Sequence, residues 1–125
     1  MKTYTDLEQS KKLAGILPLE SADMIYMPMM DIDSMSNSGF FNIPECYPFN
    51  EFKDSDTKPL PCWSLAALLD VLPDESDIVK GKVDVVDYKY MCTVCIKEEV
   101  VTAFGNNLLD ACYELIIKLY KRKLL

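Results

Sequence analysis

No histidine occurs among the 125 residues. Without an imidazole there is no Ser-His-Asp or Cys-His nucleophile system, no histidine-bearing zinc site and no ordinary general base near neutral pH. Glycine is scarce: four residues, none in a G-x-G or G-K-S/T arrangement, so no recognisable phosphate loop is spelled. Basic side chains are the minority, with 13 Lys and Arg against 20 Asp and Glu, a net charge of −7. A nucleic-acid binder concentrates Lys and Arg against phosphates, and an anionic membrane attracts the same sign, so this balance argues against both partners. No apolar run approaches the ~18 residues of a membrane span, and the opening MKTYTDLEQSKK lacks the apolar core of a signal peptide. Five cysteines, an odd number, stand at Cys46, Cys62, Cys92, Cys95 and Cys112. With that opening they read as reduced thiols, and the expected location is cytoplasmic.

What is present has the composition of an ordinary globular chain, half apolar and about a quarter charged. The length suits a single domain over 1–125, large enough for a core that needs no metal or disulfide. Residues 5–17 predict a first helix, with Thr5 and Glu8 spelling a capping box and Pro18 ending it. Residues 22–32 carry apolar side chains at both parities, which fits a strand covered on both faces; Pro28 places it at an edge or a bulge. Residues 33–61 show no period and read as a long loop, punctuated by Pro44, Pro48, Pro59 and Pro61, with room for a concealed short strand or hairpin. Residues 63–72 predict a mostly buried helix with Ser64 as N-cap.

The clearest periodicity lies in residues 82–104. Val86, Tyr88, Tyr90, Cys92, Val94 and Ile96 share one parity, while Asp87, Lys89, Met91, Thr93, Cys95 and Lys97 share the other. Lys97 to Glu99 would turn this strand into another over 100–104. Residues 107–123 close with an amphipathic helix on Leu108, Cys112, Leu115, Ile116 and Leu119, capped at Asn106 or Asn107. The expected architecture is α+β: a small, mainly antiparallel sheet with two to three helices packed on it.

The segments SADM (21–24), LPCWSLAALLDVLP (60–73) and LLDACYELIIKLYKRKLL (108–125) stand in this order. Together they resemble a group of small uncharacterised proteins of gut anaerobes, their mobile elements and bacteriophages. That group carries a P-x-W-S-L-x-A-L-L-x-x-L/M-P helix, a strand region and a terminal helix opening on a D-A-C/A turn. The layout is also loosely similar to the phage ABA sandwich domain, with helices on both sides of a small sheet. The resemblance covers about half the chain and implies a phage or mobile-element origin. It brings no catalytic or ligand residue with it.

Several spellings invite a chemical reading. Cys92 and Cys95 form a C-x-x-C, and Cys46 and Cys62 would supply two more zinc ligands. On a regular strand, however, an odd offset sends the two thiols to opposite faces with Cα atoms roughly 10 Å apart, too far to bond or to share an ion. Cys92 is then buried and inert, and Cys95 accessible. Met24, Met27, Met29, Met30 and Met35 would suit Cu(I), but their spacing also suits core packing, which is preferred. Asp31 and Asp33 begin like a calcium loop that fails at Met35, Ser36 and Asn42. Asp54/Asp56 and Glu98/Glu99 read as solvated charge. The basic end Lys121–Lys123 complements the helix dipole.

Phe40, Phe41, Tyr47, Phe49 and Phe52 place five of the thirteen aromatic residues in thirteen positions. Exposed aromatics amid polar residues serve as protein-binding hot spots; the preferred reading is that they pin the loop across an open sheet face, with room for some to do both. These five are the candidate partner contacts. No catalytic residue, cofactor or metal ligand is assigned. The favoured function is a non-enzymatic accessory or interaction protein, bound to an unknown protein or self-associating. The alternative is a small ligand- or metal-binding protein using thiol and thioether groups.

Overall fold

The computed structural model describes residues 2–30, 37–48, 58–73, 76–80 and 90–125. They gather into two compact units, Tyr4–Ala67 and the first three residues with Leu68–Leu125.

In the unit Tyr4–Ala67, helix α1 spans Leu7–Ala14. Its capping box is Asp6 with Gln9, one residue on from the spelling Thr5 with Glu8: the Asp6 carboxylate accepts from Gln9 N at 2.8 Å, and Gln9 Oε1 accepts from Asp6 N at 3.1 Å. Thr5 is displaced from that role because it is fully buried and already committed to neighbours described below. The stretch 22–32 divides at Met27 into β1 (Met24–Tyr26) and β2 (Pro28–Met30). Both find antiparallel partners inside the segment read as loop: β1 pairs with β4 (Leu60–Cys62), and β2 with β3 (Asn37–Phe40).

Two prolines sit in these ladders, and backbone direction explains both. Ile25 gives its N–H and C=O to Glu45, at 2.9 and 2.7 Å, so the position opposite it in β4, Pro61, is a non-hydrogen-bonded one that needs no donor. Pro28 opens β2 opposite Phe40 rather than lying inside one strand over 22–32, and the register slips next to it, between Met29 and Met30, in keeping with the edge or bulge expected at this proline. Gly39, at φ 120°, supplies a backbone conformation that side-chain-bearing residues avoid. Met24, Ile25 and Tyr26 are all buried, as expected of a strand covered on both faces. Helix α2 (Leu65–Val71) follows, with Ser64 Oγ accepting from Ala67 N at 3.2 Å as the cap foreseen. The boundary between units falls inside α2.

The second unit is built on β5 (Ser76–Lys80), β6 (Tyr90–Ile96), β7 (Glu99–Gly105) and helix α3 (Leu108–Lys121). The strands form one antiparallel sheet in sequence order, with Cys92 opposite Ile78 and Ala103. β5 was not anticipated. β6 and β7 follow the expected alternation, while Val86, Asp87, Tyr88 and Lys89 lie outside the described residues. Lys97 and Glu98 join them with φ of 51° and 68°, two consecutive positive values that mark a type I′ turn. Helix α3 lies on β6 and β7. Its buried side chains are Leu109, Ala111, Cys112, Leu115, Ile116, Ile117 and Leu119, a wider stripe than the sequence period suggested. Each large aliphatic among them contributes about 1.5–3 kcal/mol relative to exposure.

Both ends of α3 are closed. Asn107 Oδ1 accepts from Asp110 N at 2.8 Å, and Lys2 Nζ reaches Asp110 at 2.8 Å. At the far end Lys123 N bonds Tyr120 O at 3.0 Å and Leu124 N bonds Leu119 O at 2.9 Å, a Schellman closure with Lys123 at φ 58°. Among the described residues the molecule is α+β, with three α-helices and small antiparallel sheets. The strands are divided among three sheets because β1 and β2 turn to different partners.

Candidate functional site

The aromatic segment follows β3 and is fixed by its backbone. Phe41 N donates to Met27 O at 3.0 Å, the Glu45 bridge to Ile25 follows, and Tyr47 N donates to Glu45 O at 3.0 Å. With the main chain anchored at both ends, the side chains divide between the core and the surface. Phe40 turns inward and packs with Tyr4, Leu7 and Leu60 against Met24, Tyr26 and Cys62. Phe41 is 54% exposed, Ile43 75% and Tyr47 48%. The five aromatics grouped from the sequence therefore do not act as one set: Phe40 pins the segment, Phe41 and Tyr47 face outward, and Phe49 and Phe52 lie outside the described residues. Ile43, the most exposed of the large apolar residues here, is not aromatic and so stood outside the cluster, and no local period marks it.

Beneath the segment is a buried polar knot. Tyr26 Oη donates to Thr5 O at 2.7 Å, Trp63 N donates to Thr5 Oγ1 at 3.2 Å, and Thr5 Oγ1 and Ser10 Oγ share a hydrogen bond of 2.7 Å. The Cys62 thiol lies 3.5 Å from both Thr5 oxygens. Thr5 N closes the ring by donating to Trp63 O at 2.9 Å. Burial pushes the Cys62 thiol up, with Thr5, Ser10 and Tyr26 pulling part of the way back. Burial, then Cys62, pushes the Tyr26 phenol above its ordinary range. A thiol held protonated is a poor nucleophile and a poor ligand, so the knot reads as structure. Among the described residues no buried side-chain nitrogen or oxygen lacks a partner.

Nearby, Asp23 accepts from both Ser64 N, at 2.9 Å, and Ser64 Oγ. The same Oγ caps α2, and the indole of Trp63 donates to Ser21 Oγ at 2.9 Å. The Ser64 hydroxyl is thus spent on orientation, with its proton on a carboxylate and its lone pair on a helix amide.

The thiols resolve differently from their spelling. β6 is regular through Cys92, Thr93, Val94 and Cys95, so Cys92 is buried at 0% exposure and Cys95 is exposed. The neighbour of Cys92 is Cys112, across from α3, with the two sulfurs 3.8 Å apart. With Cys112 donating, the S–H···S contact holds the Cys92 thiol down and, together with burial, pushes Cys112 far above the thiol range. Cys46 is exposed. Among the described residues no group of three or more Cys, Asp or Glu is placed to hold a metal ion. Met24 belongs to the core cluster with Cys62, and Met27 and Met29 are half-buried. Met35 and the calcium-like Asp31 and Asp33, like Asp54 and Asp56, lie outside the described residues. Glu98 and Glu99 are exposed at the hairpin.

Comparisons with protein-family models, with curated proteins and with solved structures each returned no match. Among the described residues no helix is long and apolar enough to cross a membrane.

Proposed function

We propose that the chain is a non-enzymatic protein-interaction protein, using the surface formed by Phe41 and Ile43 with Tyr47 at its margin. The observation that carries this reading is the outward display of large apolar side chains on a main chain pinned to Met27 and Ile25. Such a surface loses little conformational entropy on binding, because the backbone is ordered beforehand. Its partner is a different protein presenting an apolar cleft with a basic rim. Two copies of a chain at −7 repel one another, whereas a basic rim is drawn to the same charge. The P-x-W-S-L helix and the terminal D-A-C helix support a phage or mobile-element lineage in a gut bacterium, and the thiol content supports a cytoplasmic setting.

The test separates recognition from packing. Phe41→Ser, Ile43→Ser and Tyr47→Ser combined should leave the unfolding midpoint close to wild type while abolishing site-specific photocrosslinking, from position 42, to a protein rich in basic residues. Phe40→Ser should unfold the unit. Crosslinking only to a second copy, or destabilisation by the triple variant equal to that of Phe40→Ser, would overturn the reading.

A further inference from the structure

We propose that Cys92 and Cys112 form a redox modification site, an internal dithiol that a peroxide converts to a disulfide clamping α3 to β6. The inference stands apart from the interaction surface and uses a different unit of the chain. Both sulfurs are fully buried and in contact at 3.8 Å, while a disulfide closes at about 2.05 Å. The remaining ~1.8 Å is within reach of side-chain rotation and a small helix adjustment, given the small neighbours. Ala103 stands opposite Cys92 on β7, and Ala111 precedes Cys112 on α3. The close approach has a backbone cause: a Cβ on Gly105 would lie 2.5 Å from Ala111 N, so only glycine lets the start of α3 settle against the end of β7. That contact sets Cys112 over the sheet, and the strand alternation that separates Cys92 from Cys95 turns Cys92 up to meet it.

The chemistry balances with a peroxide as oxidant. The Cys92 thiolate attacks one peroxide oxygen, breaking the O–O bond. The sulfenic acid keeps that oxygen, and the other leaves as water after taking up the proton. Cys112 sulfur then attacks the Cys92 sulfur, the S–O bond breaks, and the hydroxyl departs as a second water with the Cys112 proton. Two thiols are oxidised by two electrons, and one peroxide is reduced to two waters. Either thiol can donate across the 3.8 Å contact; with Cys112 donating, Cys92 is the one that ionises, and the exchanged roles give the same disulfide. Burial restricts the reaction to moments of local opening, so exposed Cys46 and Cys95 meet oxidant first.

The test uses the full chain carrying Cys46→Ser and Cys95→Ser, treated with hydrogen peroxide under conditions where it stays folded, then unfolded and alkylated. The expected result is a mass loss of two hydrogens, two fewer alkylated thiols, and a tryptic link joining the peptides of Cys92 and Cys112. The thermal midpoint should rise on oxidation and fall back with a phosphine reductant, because the bridge joins residues 20 apart and closes that loop in the unfolded chain. Cys112→Ala, which keeps Cys92 in a small apolar setting, should lose the link and stop at a Cys92 sulfenic acid trapped by dimedone. Full alkylation of Cys92 and Cys112 after peroxide treatment of the folded chain, or a link formed only in denaturant, would overturn the proposal.

Discussion

Thr5 is the atom-level keystone of the unit Tyr4–Ala67. Its Oγ1 accepts from Trp63 N and shares a proton with Ser10, and its carbonyl accepts from Tyr26. Thr5→Val keeps the shape and deletes the acceptor, so Trp63 N–H is left buried without a partner. Leaving a buried donor unsatisfied costs about 1–3 kcal/mol. Urea unfolding should show a loss of that size for Thr5→Val and a smaller one for Thr5→Ser, which restores the hydroxyl. A loss for Thr5→Ser with none for Thr5→Val would mean that only the methyl matters. The thiols give a second residue-scale expectation. Two of the five, Cys46 and Cys95, should react promptly with a disulfide reagent in the folded protein, and Cys62, Cys92 and Cys112 only slowly, through local opening or unfolding. Cys92 reacting as fast as Cys95 would contradict the strand geometry.

At the scale of elements, two features limit stability and both lie at chain reversals. The β6–β7 turn places Lys97 and Glu98 at positive φ, where Asn-Gly is the preferred pair. Glu98→Gly should therefore stabilise by about 1 kcal/mol, read as a higher urea midpoint with unchanged slope. Gly105→Ala should do the reverse by about 1–3 kcal/mol, because its Cβ meets the backbone of Ala111. An unchanged midpoint for Gly105→Ala would mean that α3 moves freely on the sheet. These elements differ in how plainly the sequence announces them. α3 and β6 carry a period of their own, and the turn between β6 and β7 is local, so all three were legible. β3, β4 and β5 are three to five residues long and exist by virtue of pairing, β4 with residues far away in sequence. No local period encodes such a partner. The cap of α1 failed for a related reason: Thr5/Glu8 and Asp6/Gln9 overlap by one residue, and a tertiary commitment of Thr5 breaks the tie. The aromatic segment was legible as a cluster, but its division between Phe40 inside and Phe41 outside follows from backbone bonds to Ile25 and Met27. The Cys92–Cys112 contact was hidden by the nearer C-x-x-C spelling.

For the molecule as a whole, the buried titratable groups set how stability depends on pH. An unfolded thiol ionises near ~8.5 and an unfolded phenol near ~10. In the fold Cys62 is raised by burial, Cys112 by its contact with Cys92 and by burial, and Tyr26 by burial. Above ~8.5 the folded state thus holds protons that the unfolded state has released, so stability falls as pH rises. It is fully present below that value. Each such group contributes a slope of about 1.4 kcal/mol per pH unit once its unfolded form is ionised. Cys92, shifted the other way by Cys112, acts below ~8.5 instead, where the unfolded chain holds the proton that the folded thiol has released and stability rises with pH. Urea midpoints measured from about pH 7 to about pH 9.5 should rise toward ~8.5 through Cys92 and then decline, with most lysines still protonated. Cys62→Ala should lessen the decline by one group's share, and so should Cys112→Ala, although both variants start from a lower midpoint. A stability that has not declined by about pH 9.5 would show that these thiols ionise as readily in the fold as out of it, and that the polar knot around Thr5 admits water.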